Sequence, residues 1–398
     1  MTIESIRPIL LSAPYADSKN LEVLNHLPHG SRTTGLVEVE LTGGVKGLGE
    51  GYLAVFAPKV FTEIVRMVGP GLCGLPADDL GLCYRTLCRM CGYWSYQGAA
   101  RHVISAIMIA LVDAVAKARG LPAWRMLNEH ARGTPITLYG SGGDATDPAA
   151  MEAEIRRLRH HGIRLFKIRA ASGHANKAVF VMQQAGQSGI AVGVDMTQNL
   201  ASPSQTSDDI LRFVGEVHSR TPHRIAFLEE VFGPDSLAEL PALRAKLDVP
   251  VAGGEIVTTA EELLERMGGG YYDWVQPDAT VIGGPLETLR IFDAAQNTGC
   301  RVVVHCWGSG VCQMANYHAA WAGDADLAEW PVPSYPLRDA LMTQPLAIQD
   351  GCLPPPETPG LGVSLTPEIE REFPFRSDAV YDCLPRRPVL YDDAVWRS

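Results

Sequence analysis

The chain has few of the features that mark secreted, disulfide-linked or membrane proteins. Its nine cysteines among 398 residues form no dense framework, and this pattern is typical of a reducing compartment. The first eleven residues lack the basic start and long apolar middle of a secretory signal. The longest apolar run, near 103–112, stops at Asp113 and is too short to span a bilayer. We therefore expect a cytoplasmic protein with no membrane partner.

Positive charge is also in short supply. Lysine and arginine number 34 against 45 acidic residues, which gives a formal net charge of −11. A chain of this charge is a poor partner for nucleic acid, although a local cationic pocket remains compatible with it. We therefore expect a small-molecule ligand and no nucleic acid.

The material for a large core is present, because 46% of the residues are hydrophobic and 20% are charged. A chain of 398 residues is long for one core, so we expect two structural units. Residues 3–12 and 35–42 predict antiparallel strands, and residues 58–129 have helical periodicity. From Ile136 onward, strands and helices alternate in seven or eight units, which predicts an α/β fold with a parallel barrel.

Three apolar strands in the barrel region each end in a carboxylate. They lead to Asp195, to the pair Glu229-Glu230, and to Glu255. The carboxyl ends of barrel strands meet at one mouth, so these acids are expected to face one another. One such acid alone is more often a helix cap, but three in register favour a metal site. Oxygen ligands of this kind suit a hard divalent cation, and we expect one Mg²⁺ per chain.

Further polar residues follow the other strands, and they suit removal of a proton next to a carboxylate. His305 is the candidate base, and Asp278 can fix its tautomer. Lys167 can stabilise the enediolate together with the metal. The alternative for His305 is a satisfied core histidine.

Glu329, if it is protonated, can donate a hydrogen bond to the substrate carboxylate. That role requires burial or neighbouring acids to raise the pKa of its side chain. The alternative is a helix cap before Pro331.

A polar segment at residues 15–32 is expected to form a long loop that closes over the barrel mouth. His26, His29 and Arg32 are its candidate substrate contacts, and Asp17 and Lys19 add further polar groups. These side chains favour a polyhydroxylated substrate over an aromatic one.

In this order and spacing the motifs resemble the mandelate racemase subgroup of the enolase superfamily. The motifs that carry the resemblance are Lys167-Ile168-Arg169, Asp195, Leu228-Glu229-Glu230, Gly253-Gly254-Glu255, Val275-Gln276-Pro277-Asp278, His305-Cys306-Trp307-Gly308, Glu329, Asp350-Gly351 and Pro359-Gly360-Leu361-Gly362. The resemblance implies a modified TIM barrel, (β/α)₇β, at 132–348. It also implies an α+β capping domain at 1–131, to which a C-terminal segment at 349–398 returns. Asp195, Glu229 and Glu255 would hold the Mg²⁺, and we expect Trp307 to contact substrate.

One departure from the family pattern bears on the reaction. Racemising relatives have Lys-x-Lys at the second strand, whereas Arg169 stands here, and a guanidinium stays protonated near neutral pH. We therefore expect an acid-sugar dehydratase, a lyase that forms a 2-keto-3-deoxy acid. An epimerase, racemase or cycloisomerase of the same superfamily is the alternative. A second alternative is a catalytically idle metal-binding relative. A homo-oligomer is expected, as for many large soluble enzymes.

Overall fold

The computed structural model describes residues 1–16, 19–201, 203–382 and 393–397. Its N-terminal unit is built on an antiparallel sheet in the order β1-β2-β3, with strands Ile3–Pro14, Ser31–Leu41 and Lys46–Glu50. The hairpin between β2 and β3 turns through Gly43 and Gly44 at φ +101° and +81°, which glycine adopts without a steric penalty. A short helix, α1, spans Leu21–His26 between β1 and β2.

Three longer helices cover this sheet: α2 (Pro58–Val68), α3 (Leu80–Cys91) and α4 (Ala99–Arg119). By length and composition α4 could cross a membrane, since an 18-residue window has a mean hydropathy of 1.7. However, 89% of that window is buried inside the protein, as expected of a core helix. It packs closely on β3, because a Cβ added at Gly49 would lie 1.9 Å from the carbonyl oxygen of Ala106.

The second unit is a barrel of parallel strands. Within the described residues the strands are β4 to β11, namely Ile136–Ser141, Leu165–Arg169, Ala191–Asp195, Ile225–Glu229, Val251–Gly253, Trp274–Val275, Arg301–Val302 and Leu327–Pro331. Their order is β10-β9-β8-β7-β6-β5-β4-β11, and a parallel bridge between Val304 and Ala328 joins the two ends. This arrangement confirms the (β/α)₇β prediction.

Helices connect the barrel strands and form the outer layer. After a short α5 (Ala123–Leu127), they are α6 to α12, namely Pro148–His160, Ala175–Gly186, Ser207–Arg220, Leu240–Arg244, Ala260–Gly268, Pro285–Thr298 and Gly310–Ala322. The interior is filled by a separate cluster that includes Tyr139, Phe227 and Val303, each fully buried. Gly193 leaves room for this filling, because a Cβ there would lie 2.2 Å from the Phe227 ring. The barrel is therefore a packed core with its polar groups at the strand ends.

The chain beyond β11 contacts both units. It forms α13 (Pro336–Ala340), then β12 (Cys352–Leu353), which pairs antiparallel with β4, and then α14 (Pro367–Glu372). Residues 373–381 return to the N-terminal unit, where Thr33 Oγ1 donates to the Ala379 carbonyl at 2.7 Å. Asp393 lies at the start of α7, where its carboxylate accepts hydrogen bonds from the backbone of Asn176 and Lys177 at 3.0 Å each.

The segment expected to be a long loop contains helix α1, which begins after Asn20. The Asn20 side chain accepts hydrogen bonds from the backbone of Glu22 and Val23 at 3.0 and 3.3 Å, as an N-cap does. The backbone of Leu21 donates to the Asp144 carbonyl at 2.9 Å, just past β4. Asp17, one of the polar groups expected here, lies outside the described residues. The start of α1 therefore lies beside the barrel mouth.

Candidate active site

The three acids that end successive strands come together at the mouth. Asp195 and Glu229 close β6 and β7, and both are buried, at 3% and 0% exposure. Glu255 follows β8 by two residues and is half-buried. Burial raises the pKa of Glu229 to about 8; Lys167 opposes this shift, whereas Asp195 and Glu255 add to it. Burial and the neighbouring carboxylates therefore disfavour the charged form of Glu229.

Glu230 is strained into place next to Glu229. Its φ is +43°, a left-handed conformation that is uncommon for residues other than glycine. Its carboxylate accepts a hydrogen bond from the Gly254 backbone at 2.7 Å, directly before Glu255. Burial, and next the charge of Glu255, raise the pKa of Glu230 to about 8. Glu230 thus fixes the turn that presents Glu255.

The donor set fits a hard divalent cation. In the described part of the chain, no three His, Cys, Asp or Glu side chains already enclose a metal position. Nevertheless Asp195, Glu229 and Glu255 supply carboxylate oxygens whose mutual repulsion a cation would relieve. Asn199 donates to Glu255 at 2.8 Å, and its own buried amide oxygen has no hydrogen-bond partner. Asp195, Glu229 and Glu255 could therefore hold one Mg²⁺.

Lys167 is a buried cation beside this centre. Its ammonium contacts Glu229 and lies 3.0 Å from Glu329 Oε1. Burial lowers the pKa of Lys167, but Glu229 and Glu329 outweigh that effect, so the pKa is well above its usual value. Lys167 therefore keeps its charge beside the acidic centre.

The raised pKa that Glu329 would need in order to donate a hydrogen bond is not found in this structure. Burial raises the pKa of Glu329, but Lys167 and then His305 lower it, with a net pKa of about 2. The carboxylate also accepts a hydrogen bond from the Cys306 backbone at 2.6 Å. Glu329 is an ionised acceptor that holds Lys167. The helix-cap alternative is wrong as well, because Glu329 lies within β11.

His305 is an oriented imidazole. Its Nδ1 lies 2.8 Å from Asp278 Oδ2, and its Nε2 lies 3.3 Å from Glu255 Oε2. Asp278 is itself held by Asn316 Nδ2 at 2.9 Å and by Thr280 at 2.7 Å. Burial lowers the pKa of His305, but Glu255, Glu329 and Asp278 raise it to about 10. The Nδ1 contact leaves Nε2 directed toward the acidic centre.

Arg169 is fixed by two carboxylates and an aromatic ring. It forms ion pairs with Asp144 and, at 3.4 Å, with Asp195. Its guanidinium also lies 4.3 Å from the centroid of the Trp307 ring. Burial lowers the pKa of Arg169, yet Asp144 and Asp195 raise it well above the usual value. Arg169 is therefore permanently protonated.

Two of the four expected substrate contacts reach the mouth. Arg32 is 1% exposed and donates from Nη2 to the Trp307 carbonyl at 2.7 Å. The Trp307 indole donates to Glu22 Oε2 at 3.2 Å. His26 instead stacks on Tyr381, with ring centroids 4.4 Å apart. His29 is exposed at the surface, so the structure does not bring it to the mouth.

Several residues at the mouth were not predicted from the sequence. They are Glu22, Tyr52, Asp144, Asn199, Gln276 and Asn316. Asp144 had a signal, because it follows the strand at Ile136–Ser141 and two glycines, as the other acids follow theirs. Glu22 and Tyr52 belong to the N-terminal unit, whose periodicity says nothing about the barrel.

The family comparisons match both units. Residues 150–369 match a model described as "Enolase C-terminal domain-like". Residues 26–128 match the model of the "Mandelate racemase / muconate lactonizing enzyme, N-terminal domain".

Individual relatives cover most of the chain at low identity. Arabinonate dehydratase of Saccharolobus solfataricus is 24% identical, over 85% of this chain and 90% of its own. D-galactarolactone cycloisomerase of Agrobacterium fabrum is 25% identical over the same shares. The crystal structure of 3,6-anhydro-D-galactonate cycloisomerase from Zobellia galactanivorans superposes with a TM-score of 0.80 at 21% identity, over 94% of this chain and 99% of that one.

L-talarate/galactarate dehydratase from Salmonella typhimurium LT2, crystallised with Mg and L-lyxarohydroxamate, gives a TM-score of 0.79 at 21% identity. That likeness covers 94% of this chain and 93% of the other. The model for the barrel spans more than half of the chain, and the N-terminal model accounts for the unit that covers it. The chain therefore belongs to the mandelate racemase and muconate lactonizing enzyme family of the enolase superfamily.

Proposed function

We propose that the chain is a Mg²⁺-dependent acid-sugar dehydratase with a single working base. The observation that carries this proposal is the pairing of an oriented His305 with an Arg169 that cannot lose its proton. His305 follows β10, and Arg169 ends β5. Around the eight-strand barrel these two strands are separated by three places in one direction and by five in the other. A substrate between them meets a base on one side only.

The proposed reaction begins at the carbon next to the substrate carboxylate. His305 Nε2 removes the C2 proton, and Asp278 stabilises the imidazolium that forms. The Lys167 ammonium, held by Glu329, faces the charge that develops on the carboxylate oxygens. Mg²⁺ held by Asp195, Glu229 and Glu255 would add charge stabilisation there and would offset the carboxylates that raise the pKa of His305.

The second half is an elimination. The C3–O bond breaks, and the hydroxyl takes the proton that His305 carries and leaves as water. The remaining enol tautomerises to a 2-keto-3-deoxy acid. His305 thus ends the cycle as it began, and no second acid is required.

A cycloisomerase is the second candidate, because relatives with that activity cover the chain as fully as the dehydratases do. It would share proton removal by His305. The leaving oxygen would belong to a ring of the same substrate, so the product would keep the substrate's mass. Mass spectrometry therefore separates the two candidates: a dehydratase product has lost one water.

The test is a screen of acid sugars with Mg²⁺ in D₂O. An assay for 2-keto acids detects dehydration, and NMR at the C2 position detects exchange of its hydrogen with deuterium. The wild type is expected to give a dehydrated keto acid from at least one sugar. His305→Asn should lose about 10²–10⁴-fold in turnover and also lose exchange of the C2 hydrogen. His130→Asn, at a side chain that is 88% exposed, is the matched control and should retain activity. Full C2 exchange in His305→Asn would overturn the assignment of the base.

A further inference from the structure

Helix α1, together with Tyr15 and Trp307, forms the roof of the active site. This roof carries one carboxylate that belongs to neither the proposed metal centre nor the base. Glu22, on α1, accepts a hydrogen bond from the Tyr15 hydroxyl at 2.8 Å and another from the Trp307 indole at 3.2 Å. Both donors are neutral. Among the described residues, Glu22 takes part in no ion pair within 4.0 Å, so its negative charge is not neutralised by direct contact.

Glu22 faces the reaction centre. The Trp307 ring that it binds also lies against Arg169, which in turn pairs with Asp195. The backbone of the adjacent Leu21 is bonded to the Asp144 carbonyl, so α1 is held directly above these groups. A substrate whose carboxylate lies at Lys167 must extend from the strand ends toward this roof.

Three arginines lie near the roof, namely Arg32, Arg169 and Arg338. Arg169 is already paired with Asp144 and Asp195. Arg32 uses Nη2 for the Trp307 carbonyl, and its guanidinium lies 5.3–5.9 Å from the ring centroids of Tyr15, Tyr52 and Tyr335. Its buried Nη1 has no hydrogen-bond partner. Arg338, whose guanidinium lies 5.9 Å from the centroid of the Trp307 ring, likewise has a buried Nη2 without a hydrogen-bond partner. The roof thus offers two unused guanidinium donors and one carboxylate with lone pairs to spare.

We propose that Glu22 selects monocarboxylic acid sugars over dicarboxylic ones. Glu22 accepts hydrogen bonds from hydroxyl groups at the far end of the substrate, and Arg32 Nη1 donates to one of them. A second carboxylate at that end would face Glu22, and two like charges in a partly desolvated site repel strongly. This assignment rests on the proposed function, because it takes an acid sugar as the substrate.

The test measures binding in the His305→Asn background, where turnover does not interfere. Calorimetry with Mg²⁺ present compares a monocarboxylic acid sugar with the dicarboxylic acid of the same length and stereochemistry. The monoacid is expected to bind about tenfold or more tighter. Glu22→Gln keeps an acceptor for Tyr15 and Trp307 but removes the charge, so the preference should fall to about threefold or less. Glu22→Asp, which keeps the charge, should retain the preference.

Each outcome bears on a separate claim. Equal or tighter binding of the diacid before Glu22 is changed overturns the role of Glu22, as does a preference that survives Glu22→Gln. A Glu22-dependent preference without keto-acid formation by the wild type supports the role of Glu22 and overturns the dehydratase. Failure of both classes of acid to bind overturns both claims.

Discussion

In the proposed reaction, Arg169 is the residue that separates a dehydratase from a racemase. Lysine can give up its proton and arginine cannot, so under the single-base proposal a lysine at this place would supply the second base for inversion at C2. Arg169→Lys should lose the fork contacts with Asp144 and Asp195 and lower kcat/KM by about tenfold or more. In D₂O, formation of the C2 epimer should be confined to this variant. NMR of recovered substrate measures it, with Arg212→Lys, 72% exposed, as control. An epimer formed by the wild type at a rate comparable to turnover would contradict the single-base proposal.

Single residues were predictable where a strand carries them to the mouth. Asp195, Glu229 and Lys167 lie on strands whose apolar neighbours are buried, so the end of the apolar run locates the polar group. His26 and His29 were chosen from the polar composition of their segment. Composition does not show which way a side chain points, and Glu22 faces the mouth instead. The ionisation of Glu329 also escaped prediction, because it depends on a lysine 162 positions earlier in the sequence.

At the scale of elements, helix α6 is tied to the end of β4 by a titrating carboxyl group. Glu154 accepts a hydrogen bond from the Gly143 backbone at 2.7 Å and lines a cavity of about 300 Å³. Burial raises the pKa of Glu154 from 4.5 to about 7. Between these pH values the folded protein binds more protons than the unfolded chain does. The free energy of unfolding contributed by this group therefore falls as the pH rises from 4.5 through 7.

Glu154→Gln should remove that loss, because the amide oxygen still accepts from Gly143 and carries no charge. The side chain is only half-buried, so we expect a gain in unfolding free energy of about 1–2 kcal/mol at pH 8 rather than the full value implied by the shift. The gain should shrink toward pH 4.5. Urea unfolding at several pH values measures it. A gain that is the same at every pH would contradict a titrating Glu154.

Helices were predictable from the sequence where apolar residues keep a helical spacing over many positions. Helical periodicity was expected over residues 58–129, and helices α2, α3 and α4 lie there, at Pro58–Val68, Leu80–Cys91 and Ala99–Arg119. Helix α1 was missed, because six residues between two strands are too few to show a helical period. Its start depends on Asn20, which is equally common in turns.

At the scale of the whole molecule, neither unit makes the site alone. Glu50, at the end of β3, caps α12 of the barrel by accepting hydrogen bonds from the backbone of Ser309 and Cys312 at 3.2 and 3.0 Å. Thr34 on β2 shares a 2.8 Å hydrogen bond with the Tyr335 hydroxyl. Helix α12 begins just after the His305 segment. The position of the base therefore depends on the N-terminal unit as well as on its own strand.

Metal binding should raise the stability of the whole fold, because the repelling carboxylates come from three neighbouring strands of one barrel. A ligand that binds only the folded state adds about 2.7 kcal/mol at a concentration 100 times its Kd. Titration with Mg²⁺ should therefore raise the Tm until the site is saturated, and EDTA should reverse the rise. Glu255→Gln should weaken this response, whereas Glu265→Gln, at an exposed helix position, should leave it intact. Glu255 is the ligand to change, because it is the most exposed of the three proposed ligands and the nearest to His305. An identical Mg²⁺ response in Glu255→Gln and wild type would place the cation elsewhere.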